Sequence, residues 1–106
     1  MAVFTGVSSP ELPPKDPQSD EWFVFSWAMD QGEEISSYSW LINGTVAGVG
    51  ETVDGMTVEE ETQSGGDVQV RLSGGVVDSR YRVTSRVSTN LQPSRDVSFR
   101  IKVREL

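Results

Sequence analysis

From Glu21 onward, apolar and polar positions alternate with a period of two, the pattern of half-buried strands rather than of helices. Phe23, Phe25 and Trp27 alternate with Val24, Ser26 and Ala28, so three large rings fall on one face, which must be core. Ser36, Tyr38, Trp40 and Ile42 repeat the scheme against Ser37, Ser39 and Leu41. Asn43-Gly44 then supplies two residues that tolerate positive φ, predicting a tight hairpin that returns through Val46 and Val49. Asp54-Gly55 predicts a second such turn, after which Met56 and Val58 lead into Glu59-Glu60-Glu61. Ser64-Gly65-Gly66-Asp67 turns the chain into Val68, Val70 and Leu72. Beyond Ser73-Gly74-Gly75 come the two longest alternations. Tyr81, Val83, Ser85 and Val87 oppose Arg80, Arg82, Thr84 and Arg86; after a turn at Gln92-Pro93-Ser94, Val97, Phe99, Ile101 and Val103 oppose Ser98, Arg100, Lys102 and Arg104.

About seven short strands, frequent turns and an inward Trp40 on a central strand predict an all-β fold over residues 21–106. The architecture expected is an immunoglobulin-like antiparallel β-sandwich. Without cysteine no disulfide pins the two sheets, so Trp40, Trp27, Phe25, Tyr81 and Phe99 must supply the packing. Residues 1–20 read as an extended Pro-rich N-terminal arm, because Pro10, Pro13, Pro14 and Pro17 each fix φ and remove a donor. Val3, Phe4, Val7 and Leu12 are its candidate anchors on a neighbouring subunit. Trp22 falls out of phase with the core rings, so it is expected outside the core and is a further contact candidate.

At 106 residues the chain has room for one modest core. Its lack of both Cys and His removes thiolate and imidazole metal sites, Ser-His and Cys-His nucleophiles and histidine proton shuttles. Asp20-Glu21 and Glu33-Glu34 are paired carboxylates that nothing in the sequence gathers into one pocket. Glu59-Glu60-Glu61 would alternate between faces and so share no ion easily. Neither catalysis nor a metal or cofactor is therefore expected. The charge is uneven: residues 1–67 hold thirteen acids and one base, Lys15, whereas residues 68–106 hold three acids and eight bases, giving a net charge of -7. An acidic total with no aromatic or Gly-rich RNA platform argues against a nucleic-acid partner. The absence of a ~20-residue apolar run or an export signal argues against a membrane partner and for a protein made in the cytoplasm. Arg80, Arg82, Arg86, Arg100, Lys102 and Arg104 would stand together on paired strands, and like charges facing one another call for an anionic surface opposite them. An acidic face of a second copy would provide one, so a homo-oligomer is expected.

The order of motifs resembles a family of small tailed-phage virion proteins labelled fibre-tail adaptors. The carrying residues are Lys15-Asp16-Pro17, the Trp-rich strand ending at Trp27, Gly32-Glu33-Glu34-Ile35 with Ser39-Trp40, Leu72-Ser73-Gly74-Gly75, residues 81–87 and residues 98–105. The turn before the last strand departs from that pattern, with Gln92-Pro93-Ser94-Arg95 in place of Gly-Arg. The resemblance implies a non-enzymatic structural protein of the phage particle, made in the host cytoplasm, whose partners are other virion proteins such as tail, fibre or capsid subunits. Decoration of the capsid and, from another class, carbohydrate or receptor binding are the alternatives such a sandwich would also suit.

Overall fold

A computed structural model describes residues 2–4 and 11–105. The strands are β1 (Ala2–Phe4), β2 (Glu21–Ser26), β3 (Ile35–Ile42), β4 (Thr45–Ala47), β5 (Thr52–Val53), β6 (Met56–Ser64), β7 (Asp67–Gly74), β8 (Arg80–Thr89) and β9 (Arg95–Lys102), with no helix among the described residues. They form two sheets, ordered β1-β2-β7-β6-β5 and β4-β3-β8-β9. Among these strands every pairing is antiparallel except that of β1 with β2. This is the immunoglobulin-type arrangement the alternation predicts, with two short strands, β1 and β5, beyond the seven read from the sequence.

The inward residues of both sheets make one core. Phe23, Phe25, Val68, Val70 and Leu72 from one sheet meet Trp40, Ile42, Tyr81, Val83, Phe99 and Ile101 from the other. Phe23 stacks on Phe99 at 4.9 Å, and Trp27 closes one end, edge-on to Phe25 at 4.7 Å. Tyr81 does more than fill space. Its hydroxyl donates to the Asp54 carbonyl at 2.5 Å and accepts from Val76 N–H at 2.8 Å. That tie to the backbone five residues upstream, at the start of β8, is the tyrosine corner of immunoglobulin-like domains, and Val83 follows two residues on, where antibody domains carry a cysteine.

Both predicted hairpins form with positive φ at each turn residue: 50° and 84° at Asn43 and Gly44, 50° and 86° at Asp54 and Gly55. The turns are tied to each other by Asn43 Nδ2 donating to Asp54 Oδ2 at 2.9 Å. One strand departs from simple alternation. The β6–β7 register shifts between Val58 and Glu60, an extra residue on β6. Glu59 and Glu60 consequently share the outer face, reaching Ser73 and Arg71, while Glu61 stands opposite the inward Val70. The strict alternation expected for these three acids is corrected by that bulge.

Candidate protein interface

Residues 11–20 belong to the described structure, and their backbone runs along the edge of β9. Leu12 N–H donates to Arg100 O at 2.8 Å, Lys15 N–H to Lys102 O at 3.0 Å, and Arg104 N–H returns to Lys15 O at 2.9 Å. This parallel pairing covers part of an otherwise open sheet edge. Leu12 is half-buried against the core. Val3 and Phe4 lie on β1 beside β2, and their side chains are outside the described residues, as is Val7.

Lys15 is fully buried at 0% exposure. Its ammonium donates to the carbonyls of Ser19 at 2.6 Å, Asp16 at 2.9 Å and Gly74 at 2.9 Å. Burial pushes its pKa down, opposed by the nearby carboxylates of Glu21, Asp20 and Asp16. The Gly74 carbonyl is available because the chain there crosses from one sheet to the other. Gly74 and Gly75 sit at φ 74° and 105°, and a Cβ on either would come within 2.7 Å of Gly55 O or 2.6 Å of Val103. The Lys15-Asp16-Pro17 and Leu72-Ser73-Gly74-Gly75 motifs thus lock together across 59 residues. Sequence reasoning did not find this lock; its one signal was a single base among thirteen acids in residues 1–67.

The register of β8 on β9 brings the predicted cations together. Arg80 faces Lys102, Arg82 faces Arg100, Thr84 faces Ser98, and Arg86 faces Asp96. Arg86 is held by Asp96 through two bonds, 2.8 and 2.9 Å, which keep the Asp96 carboxyl below its usual range. Arg80 has Glu11 at 3.8 Å. Arg82 and Lys102 form no ion pair with a described residue. Arg104 follows the strand and is exposed. The centre of this face is less polar: Leu41 and Thr84 are buried beside each other, and Val46, paired with Leu41, is 55% exposed.

The outer face of the five-stranded sheet carries the opposite charge. Arg71 binds Asp20 at 2.6 Å and Glu60 at 2.7 Å and lies over the half-buried Trp22 ring at 5.9 Å. Glu59 and Asp67 flank that cluster on the same face. Trp22 is therefore outward, as its phase predicts, and Arg71 partly covers it.

At one end of the sandwich an open cleft of about 540 Å3 is lined by Met29, Glu33, Glu34, Ile35, Gln63, Gly65 and Gly66. Glu33 is the buried carboxylate there, accepting from Thr89 Oγ1 at 2.6 Å and from Asp30 N–H at 3.0 Å. Those bonds hold its pKa down and occupy both oxygens, so its role is to fasten the β2–β3 connection to β8. Asp20 is likewise engaged, by Arg71. Among the described residues no group of three or more His, Cys, Asp or Glu is placed to hold a metal ion.

A two-sheet sandwich with one edge partly covered and two outer faces of opposite charge has the build of a protein-assembly module, a fold whose specificity lies on its surfaces. The sequence profile of the podophage GP4 fiber-tail adaptor proteins, Gp77, matches residues 15–102, and the chain belongs to that family. It is a structural component of the phage particle. The matched span opens at Lys15, the residue that locks the N-terminal segment onto the sandwich, and includes all of β2 to β9. A search of curated proteins found no match.

Proposed function

We propose that this adaptor joins fibre to tail through its N-terminal arm and the cationic outer face of β8 and β9, meeting acidic surfaces of other virion proteins. The observation that supports the reading is the register of like charges. Arg80 opposite Lys102 and Arg82 opposite Arg100 set like charges side by side, a repulsive cost before neighbouring carboxylates such as Glu11 are counted. An anionic partner turns that cost into attraction and sets the orientation of docking. The arm can take the same role without leaving the domain, because residues 2–4 form the outermost strand of the five-stranded sheet and residues 11–15 line β9, so it offers a neighbouring subunit its outward side. In this reading Val3, Phe4 and Leu12 mark the arm contact and Arg80, Arg82, Arg86, Arg100, Lys102 and Arg104 the face. Arg86 is the weakest member because Asp96 already neutralises it.

Purified protein added to fibre-depleted tails tests the proposal. Wild type restores fibre attachment, whereas Arg82→Glu with Lys102→Glu, both on the solvent side of the sheet, keeps the melting temperature and fails to restore it. Normal restoration by that folded double variant refutes the cationic-face assignment.

A further inference from the structure

We infer that the cationic outer face of β8–β9 docks on the acidic outer face of β2–β7–β6 of a second copy of this chain, building a head-to-tail assembly. The inference rests on the reading of the cationic face as a contact surface and names the partner. Two copies meeting through the same face would set Arg82 and Lys102 against their own equivalents, so a two-fold contact there is repulsive. The complementary surface is present on the same molecule. Asp20, Glu59, Glu60 and Asp67 outnumber the single Arg71 on the opposite outer face.

Charge is not the only match. Each face has an apolar group inside its charged surround: Val46 beside Leu41 on the cationic side, and the half-buried Trp22 ring, partly covered by Arg71, on the acidic side. An aromatic anchor meeting an apolar patch within a polar rim is the usual anatomy of a specific interface. The bulge in β6 contributes directly, because it brings Glu60 to the side of Glu59 and so sets two consecutive carboxylates next to each other there. Opposite faces joined in this way make a heterologous contact, which closes into a ring when the rotation between copies allows it.

The test is the solution mass of the full chain by light scattering at about 50 mM and about 500 mM salt, where the screening length falls several-fold. The expected result is an oligomer at low salt that shifts to monomer at high salt. Arg82→Glu with Lys102→Glu gives monomer at low salt with an unchanged melting temperature, and Glu59→Lys with Glu60→Lys, which also gives up the Ser73 and Arg71 contacts, gives monomer at low salt while remaining folded by circular dichroism. Mixed in equal amounts, the two charge-reversed variants associate again, because the altered face of each matches the altered face of the other. Wild type that is monomeric at both salts, or a mixture that stays monomeric, overturns the inference. The adaptor reading is judged separately. A monomeric wild type whose Arg82→Glu, Lys102→Glu variant fails on tails leaves the cationic face with a foreign partner; an oligomer lost in a variant that still restores fibres keeps the self-contact and removes the fibre-tail role of the face.

Discussion

Replacing Lys15 by Met keeps the aliphatic stem and removes the ammonium. Asp16 O remains bonded to Ser19 N–H and Oγ–H, but Ser19 O and Gly74 O lose the donor that reaches them at 2.6 and 2.9 Å. Two acceptors left unsatisfied in a buried setting cost about 1–2 kcal/mol each. Relief of the ammonium's own desolvation, the effect that lowers its pKa, returns part of this, leaving a loss of roughly 2–3 kcal/mol. For a domain of this size that corresponds to a fall in Tm of roughly 10 °C. Thermal and urea unfolding followed by circular dichroism measure it, with the urea slope unchanged if the folded state stays compact. The pH dependence adds a second signature. A folded pKa below the unfolded value of 10.5 means that the unfolded chain binds more protons in between, so stability rises with pH across that window. Lys15→Met abolishes this rise. A Lys15→Met protein as stable as wild type, with the same alkaline limb, would refute the view that this ammonium clamps the N-terminal segment to the sheet crossing.

Trp40→Ala removes the largest fully buried side chain, and a loss of about 3–5 kcal/mol, read by chemical denaturation, leaves so small a domain close to unfolding. Tyr81→Phe deletes the hydroxyl bridging Asp54 O and Val76 N–H, and a loss of about 1–3 kcal/mol with the fold retained is expected; an unchanged midpoint would show that the corner is ornamental. Glu61, turned inward by the bulge, has a buried Oε2 without a hydrogen-bond partner, and burial raises its pKa above 4.5. The folded state then binds more protons than the unfolded chain just above pH 4.5, so stability falls as pH rises through that window. Glu61→Gln removes this fall and stabilises the protein at pH 7, whereas a destabilised variant would show that the carboxylate is needed in its charged form.

The core was legible because its residues obey period two: Phe23, Phe25, Trp40, Tyr81 and Phe99 all point where alternation puts them. Asn43-Gly44 and Asp54-Gly55 were legible because few residues adopt two successive positive φ values. The outward positions of Arg80, Arg82, Arg100 and Lys102 follow from the same parity, but their pairing depends on a β8–β9 register that alternation alone does not set. What remained hidden was non-periodic. A bulge leaves no mark in composition, so Glu59 and Glu60 read as facing apart although they share a face. The segment at residues 11–15 joins β9 through backbone groups, with its prolines placed where no donor is required, and proline spacing alone gives no sign of such docking. Lys15 is least legible of all, since a charged residue is buried here only because the carbonyls of Asp16, Ser19 and Gly74, the last of them 59 residues away, converge on it.

Whether the cationic face is the docking surface of this fibre-tail adaptor can be seen in a cryo-electron map of the particle at side-chain resolution. The expected map has the sandwich between fibre and tail, with Arg82 and Lys102 within ion-pair distance of carboxylates on a neighbouring subunit. A map showing that face open to solvent, with the contacts made by the loop ends of the sandwich instead, would contradict the assignment.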